Sequence, residues 1–165
     1  LRARAEAAQG QVCEAVNFNS PGQVVIAGDA AAVARAEALA KAAGAKRFVP
    51  LPVSVPSHSS LMIDAAHTLD TYLSEVMIKP PVIPVLHNFD AQTHDDALSI
   101  RHALVEQLHC PVQWVACVQA LHSRGCHRQF EFGPGKVLTG LAKRIEKGIA
   151  GSAVFDEASL SAVMA

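Results

Sequence analysis

Along "VCEAVNFNSPGQVVIAG" apolar and polar residues alternate, break at Ser20-Pro21-Gly22 and resume at Val24, Val25 and Ile26. A period of two with a Pro-Gly interruption predicts a hairpin of two strands. Asp29 then stands where it can cap a helix over "AAAVARAEALAKAAG", whose Val33, Ala36, Leu39, Ala40 and Ala43 make a narrow stripe, with Gly44 as the stop. "KRFVPLPVSV" reads as another strand, an edge or irregular one because of Pro50 and Pro52. After His58 the period changes: Leu61, Ala65, Leu69, Leu73 and Val76 recur every three or four residues until "KPP" ends the helix.

"VIPVLHN" is predicted as a short buried strand, and "DDALSIRHALVEQLH" as an amphipathic helix with acids in its first turn and Ile100, Leu104 and Leu108 on one face. Pro111 can open a further helix carrying Trp114, Val115, Val118 and Leu121, closed at Gly125. "RQFEFGPGK" reads as a strand running into a Gly-Pro-Gly turn, "KVLTGLAKRIEKG" as a helix, and "SAVFD" as a strand before a final helix. Strands alternating with helices from residue 56 onward indicate an α/β layer with parallel strands. Residues 11 to 55, ordered strand, strand, helix, strand, look like part of a small α+β lobe. The opening "LRARAEAAQG" has no Met and reads as the middle of a helix, so a fragment is expected.

Composition narrows the classes. With 165 residues, half of them hydrophobic, the chain can bury a core of one domain or two small lobes. Its formal net charge of -1 leaves no footprint for nucleic acid or an anionic membrane. No apolar run approaches the roughly 18 residues that span a bilayer, and no signal-like leader is visible, so a cytoplasmic protein is expected. Cys13, Cys110, Cys117 and Cys126 form no CxxC pair, which fits buried reduced thiols. A zinc site from Cys126, His122 and His127 is conceivable but lacks a second closely spaced pair, and no metal is expected.

Within "SVPSHSSLM", His58 sits where a helix should begin, with Ser59 or Ser60 available as N-cap. The positive end of a helix dipole disfavours imidazolium, and a neutral imidazole can accept a proton, as a general base in acyl transfer must. The plainer reading is a polar residue marking a helix start. No G-x-S-x-G elbow is present to supply a nucleophile. "FGPGK" could hold an anion on backbone N–H groups or be only a tight strand-to-helix turn, and it lacks Walker spacing, which excludes nucleotide hydrolysis. Lys143, Arg144 and Lys147 suit a solvated last helical turn, and Asn17 and Asn19 suit turn formation.

Taken together, "NFNSPGQVVIAG", "AGAKR", "LPVSVPSHSSLM", "EQLHCPVQW" and "EFGPGKVLTGLAKRI" closely resemble the malonyl-CoA:acyl carrier protein transacylases of bacterial type II fatty acid synthesis, from about residue 10 to the end. The resemblance implies an α/β fold in which residues 56–165 are the C-terminal part of an α/β-hydrolase-like large lobe and 1–55 are part of an inserted ferredoxin-like small lobe. It implies a ping-pong transfer of malonyl from malonyl-CoA to the phosphopantetheine thiol of acyl carrier protein, in fatty acid biosynthesis, with no cofactor. His58 matches the catalytic histidine and Gln107 the residue whose backbone carbonyl orients it. Asn17 and Asn19 would lie near the cleft, Asn19 positioning the acyl or pantetheine group, and Arg47 and Lys143 would face CoA phosphates or the acidic carrier.

The resemblance also implies what is absent. The nucleophilic serine, the oxyanion hole and the arginine that holds the malonyl carboxylate would belong to a missing N-terminal segment, so these residues alone are expected to be inactive. Ser57 does not follow the bulky aromatic pattern of malonyl-selective polyketide synthase domains. A polyketide-synthase-type acyltransferase segment, or a non-catalytic domain that binds a carrier protein, are the alternatives.

Overall fold

The computed structural model describes residues 8–164, so all but the last residues of the helical start read from "LRARAEAAQG" lie outside it. Strands β1 (Cys13–Ser20) and β2 (Gln23–Gly28) form the predicted antiparallel hairpin across Pro21-Gly22. Its register shifts twice, between Ala15 and Asn17 and between Phe18 and Ser20, which leaves Val16 and Asn19 as extra residues on β1. Such bulges bend a strand and re-aim its side chains. Asn17 and Asn19 are therefore strand residues, and Asn19 is a bulge, where turn formation was the sequence-level account of them.

Helix α1 (Ala30–Ala42) follows, and its buried positions are Ala32 and Ala36. Small side chains let it approach β1 closely: Cys13, Ala32 and Ala36 form one core cluster, flanked by Ile26 and Leu39. Asp29 occupies the N-cap position but makes no side-chain cap. Its carboxylate instead accepts the Val12 N–H at 2.7 Å while Asp29 N–H returns to the Val12 carbonyl at 2.8 Å, closing the base of the hairpin. Gly44, at φ +90°, ends the helix as expected, a backbone shape that costs glycine little.

Two predicted strands are not formed among the described residues. Residues 46–55 carry no strand, with Val49, Leu51, Val53 and Val55 all exposed. Pro50 and Pro52 remove ladder donors, and no neighbouring strand supplies partners. "VIPVLHN", expected to be buried, leaves Val82 99% and Ile83 77% exposed and retains only a single bridge, Leu86 to Thr93. An isolated extended run without a sheet to join has no pairing to hold it.

A 3-10 turn (Ser60–Met62) leads into α2 (Ile63–Ser74), which packs on α3 (Ala97–His109). The buried position of α2 is Ala66; Leu61, Ala65 and Val76 of the expected stripe are exposed. The acids expected in the first turn of α3 lie before it: Asp96 is its N-cap, its Oδ1 accepting the N–H groups of Leu98 and Ser99. Helix α4 (Trp114–Ser123) begins three residues beyond Pro111, because Val112 pairs with β1 instead.

Strand β3 (Arg128–Phe132), helix α5 (Val137–Ile145) and strand β4 (Ala150–Val154) make a βαβ unit with β3 and β4 parallel, followed by α6 (Glu157–Met164). β4 lies two residues before the span read from "SAVFD". Val118 and Ala142, both fully buried, and Ile149 form the second core cluster, with Trp114 and Ile145 against it. The fold is α/β, and the layer with parallel strands read from the sequence is present as this unit. Cys13 and Cys117 are buried and Cys110 half-buried, but Cys126 is exposed, against the expectation of four buried thiols. No helix among the described residues is long and apolar enough to cross a membrane.

Candidate active site

Helix α3 stops because Cys110 precedes Pro111: a residue before proline is pushed to extended backbone, and Cys110 adopts φ -99°, ψ 149°. The last carbonyls of a helix have no partner within it. Here the carbonyls of Gln107 and Leu108 are both taken by His58, 49 residues earlier for the ring contact. His58 N–H donates to Leu108 O at 2.9 Å, and ring Nδ1 lies 2.6 Å from Gln107 O. A carbonyl oxygen only accepts, so Nδ1 carries the proton, and in the neutral ring the lone pair is on Nε2. The sequence-level pairing of His58 with Gln107 is thus met by direct contact.

His58 itself has φ +66°, the left-handed region, unusual for a side chain other than glycine and costing on the order of 1–3 kcal/mol. The surroundings hold it there. Ser59, fully buried, donates its hydroxyl to Pro56 O at 2.6 Å. Neither serine caps the helix as expected. The capping group comes from β1: Glu14 accepts Ser60 N–H at 2.7 Å and Ser60 Oγ–H at 2.9 Å. The anion at the positive end of this turn is the Glu14 carboxylate, so the ring's tautomer rests on the Gln107 carbonyl rather than on the helix dipole. Glu14 was missed by sequence reasoning; its signal was an acid inside the alternating "VCEAVNF".

The segment leaving Gln107 is stitched to β1. Phe18 N–H donates to Val112 O at 2.9 Å and Val112 N–H to Val16 O at 2.8 Å, on either side of Asn17, which forms a parallel bridge with Val112. Asn17 and Asn19 are half-buried on the strand that bears Glu14. Among the described residues no hydrogen bond joins the side chains of Asn17, Asn19, Arg47 or Lys143 to His58. Arg47 is exposed in the irregular stretch after α1, and Lys143 is exposed on α5, where it and Lys147 line a shallow pocket with Thr139 and Gly151.

The Gly-Pro-Gly turn holds no open anion cradle. The Glu131 carboxylate occupies the start of α5, accepting Leu138 N–H at 3.0 Å and both Thr139 N–H and Oγ–H at 2.7 Å. Desolvation alone would raise that carboxyl, but the Thr139 and Leu138 bonds outweigh it and hold it below the ordinary carboxylate range. His122 and His127 stack edge to face at 5.2 Å, yet with Cys126 they do not converge as metal ligands.

The comparisons with known proteins agree on one kinship. No protein-family model matches the chain. The malonyl CoA-acyl carrier protein transacylase of Salmonella typhimurium is 53% identical over 159 residues, covering 96% of this chain and 52% of that protein. The Bacillus subtilis protein of the same name is 40% identical over 148 residues, 90% of this chain and 47% of its own length. An acyl carrier protein S-malonyltransferase from Vibrio cholerae superposes with a TM-score of 0.95 at 54% identity, over 98% of this chain and 53% of that one. A malonyl-transacylase solved in complex with its type II PKS acyl-carrier protein gives a TM-score of 0.95 at 51% identity, over 97% of this chain and 52% of that one. The chain spans about half the length of the curated relatives it matches.

Proposed function

The chain belongs, over about half their length, to the malonyl CoA-acyl carrier protein transacylase family, and from that premise we propose that it supplies the general base of a malonyl transfer from malonyl-CoA to acyl carrier protein. The observation that carries this reading is the 2.6 Å contact between His58 Nδ1 and the Gln107 carbonyl, which leaves Nε2 as the proton acceptor. The nucleophilic serine, its oxyanion hole and the arginine for the malonyl carboxylate are assigned to the remainder of the parent polypeptide that carries this chain.

Chemistry then runs in two halves. Nε2 takes the serine proton as the oxygen attacks the thioester carbonyl; the C–S bond breaks and the imidazolium returns the proton to the CoA thiolate. In the second half Nε2 takes the proton of the phosphopantetheine thiol, the sulfur attacks the acyl-serine, and the proton goes back to the departing serine oxygen. A good base of this kind contributes about 10²- to 10⁴-fold. Positive charge develops on the ring beside the carbonyl end of α3, where a helix dipole is negative and stabilises it. A neutral carbonyl partner orients the ring without placing a formal charge in the cleft.

Asn17 and Asn19 are the substrate-side residues of this reading, supported by the bulged strand they share with Glu14. Arg47 and Lys143, both exposed cations, would draw CoA phosphates or an acidic carrier and raise the encounter rate. Residues 1–55 are taken as part of a small ferredoxin-like subdomain and 56–165 as part of an α/β-hydrolase-like one; the irregular stretch between α1 and the 3-10 turn supports that boundary. The setting is cytoplasmic fatty acid biosynthesis.

The test is covalent. The parent polypeptide incubated with malonyl-CoA should gain one malonyl group on a serine by mass spectrometry and lose it when carrier protein bearing its phosphopantetheine is added. Carrier binding without any adduct would refute the transfer and favour a non-catalytic binding domain.

A further inference from the structure

We propose that the last turn of α3 is a binding site for a divalent cation of the zinc type, with Glu106, His109 and Cys110 as ligands and the fourth position left to solvent. Among the described residues these three are the group of His, Cys and acidic side chains that converges closely enough to hold a metal ion, one ligand atom from each lying within 4.8 Å of the others. Spacings of three and four place all of them on one helix face. All three are half-buried.

The two spacings made by the thiol suit a tetrahedral ion. Bonds of about 2.0–2.3 Å put tetrahedral ligand atoms about 3.3–3.6 Å apart. One ion takes one nitrogen of His109, and Nδ1 is the one beside the thiol: Cys110 Sγ is 3.7 Å from His109 Nδ1 and 3.3 Å from Glu106 Oε2. Thiolate, imidazole and carboxylate together select zinc over the hard cations magnesium and calcium, which prefer oxygen. Without metal, the Cys110 thiol donates its proton to a hydrogen bond with Glu106 Oε2 at 3.3 Å. The cation replaces that proton: the S–H bond breaks, a metal–sulfur bond forms, and one proton leaves to solvent.

The site bears on the chemistry because it brackets Gln107 and Leu108, the two carbonyls that hold His58. An ion bound by Glu106, His109 and Cys110 would pin the backbone turn between them. The assignment of the metal ligands does not depend on the acyl transfer itself.

Metal-free parent polypeptide titrated with zinc chloride against a chromophoric chelator should take up one equivalent, with affinity lowered on the order of 100-fold by Cys110→Ser or His109→Gln and unchanged by Cys126→Ser. Cobalt(II) in place of zinc should give a thiolate-to-cobalt charge-transfer band that Cys110→Ser removes, and zinc should slow alkylation of Cys110 in the unsubstituted protein. No retained zinc, retention indifferent to Cys110→Ser, or loss of binding in Cys126→Ser would overturn the site. The alkylation measurement uses no variant, so it decides even where a substitution impairs folding.

Discussion

Replacing Glu14 by Ala removes a carboxylate that accepts two hydrogen bonds from Ser60 across 46 residues of sequence, at 2.7 and 2.9 Å. A hydrogen bond to a charged group contributes about 1.5–3 kcal/mol, but Glu14 is half-buried and water replaces part of what is lost, so a total destabilisation of about 1–3 kcal/mol is expected. Urea unfolding of the parent polypeptide reads it as a lower midpoint at unchanged slope. A purely structural brace would stop there. Because Glu14 helps hold His58 at φ +66°, the same variant should also lower kcat for malonyl transfer, by about 10- to 100-fold with KM little changed, the scale expected of a misplaced catalytic group. Glu14→Gln keeps one acceptor for Ser60 N–H and should recover most of both losses. A Glu14→Ala protein with wild-type midpoint and wild-type kcat would refute the brace.

Gly28 closes the hairpin at φ +150°, and a Cβ there would fall 2.0 Å from the Val12 carbonyl oxygen; Gly28→Ala should cost on the order of 3–5 kcal/mol, read as loss of soluble protein or a much lower unfolding midpoint, and a midpoint near wild type would contradict it. His87, only 9% exposed, is held below its ordinary value of 6.5 by burial first and then by the neighbouring His94, with Asp90 opposing. With the folded value below the unfolded one, the unfolded chain binds more protons as pH falls through 6.5, so His87 makes the fold less stable towards acid. Urea midpoints at pH 7.5 and about 5.5 should therefore fall less in His87→Gln than in the unsubstituted protein, and equal falls would count against this placement.

What the sequence disclosed depended on whether the cause was local. The β1–β2 hairpin, the Gly44 stop and the β3–α5–β4 unit follow from short-range rules, and the structure contains them. The failures trace to partners distant in the chain. Asp29 and Ser59 have the right identity and position for caps, yet longer-range or reversed bonds to Val12 and Pro56 take their side chains. Alternating apolar residues over 46–55 and the run from Val82 to Val85 carry strand chemistry, but a strand exists only where another lies beside it. At the site, the residues around His58 left open a base or a plain polar residue at a helix start, and both the base role and the pairing with Gln107 came from motif resemblance, since no local pattern links a ring to a carbonyl 49 residues away. Glu14 escaped because an acid in a half-buried strand ordinarily faces water.

The central claim is that His58, clamped at Nδ1 by Gln107, moves the proton at Nε2. Its most direct measurement is the steady-state rate of malonyl transfer to carrier protein by the parent polypeptide bearing His58→Gln, beside the unsubstituted protein at matched folding. A loss of about 10²- to 10⁴-fold in kcat with the unfolding midpoint preserved is the predicted result. Transfer at the unsubstituted rate would contradict it.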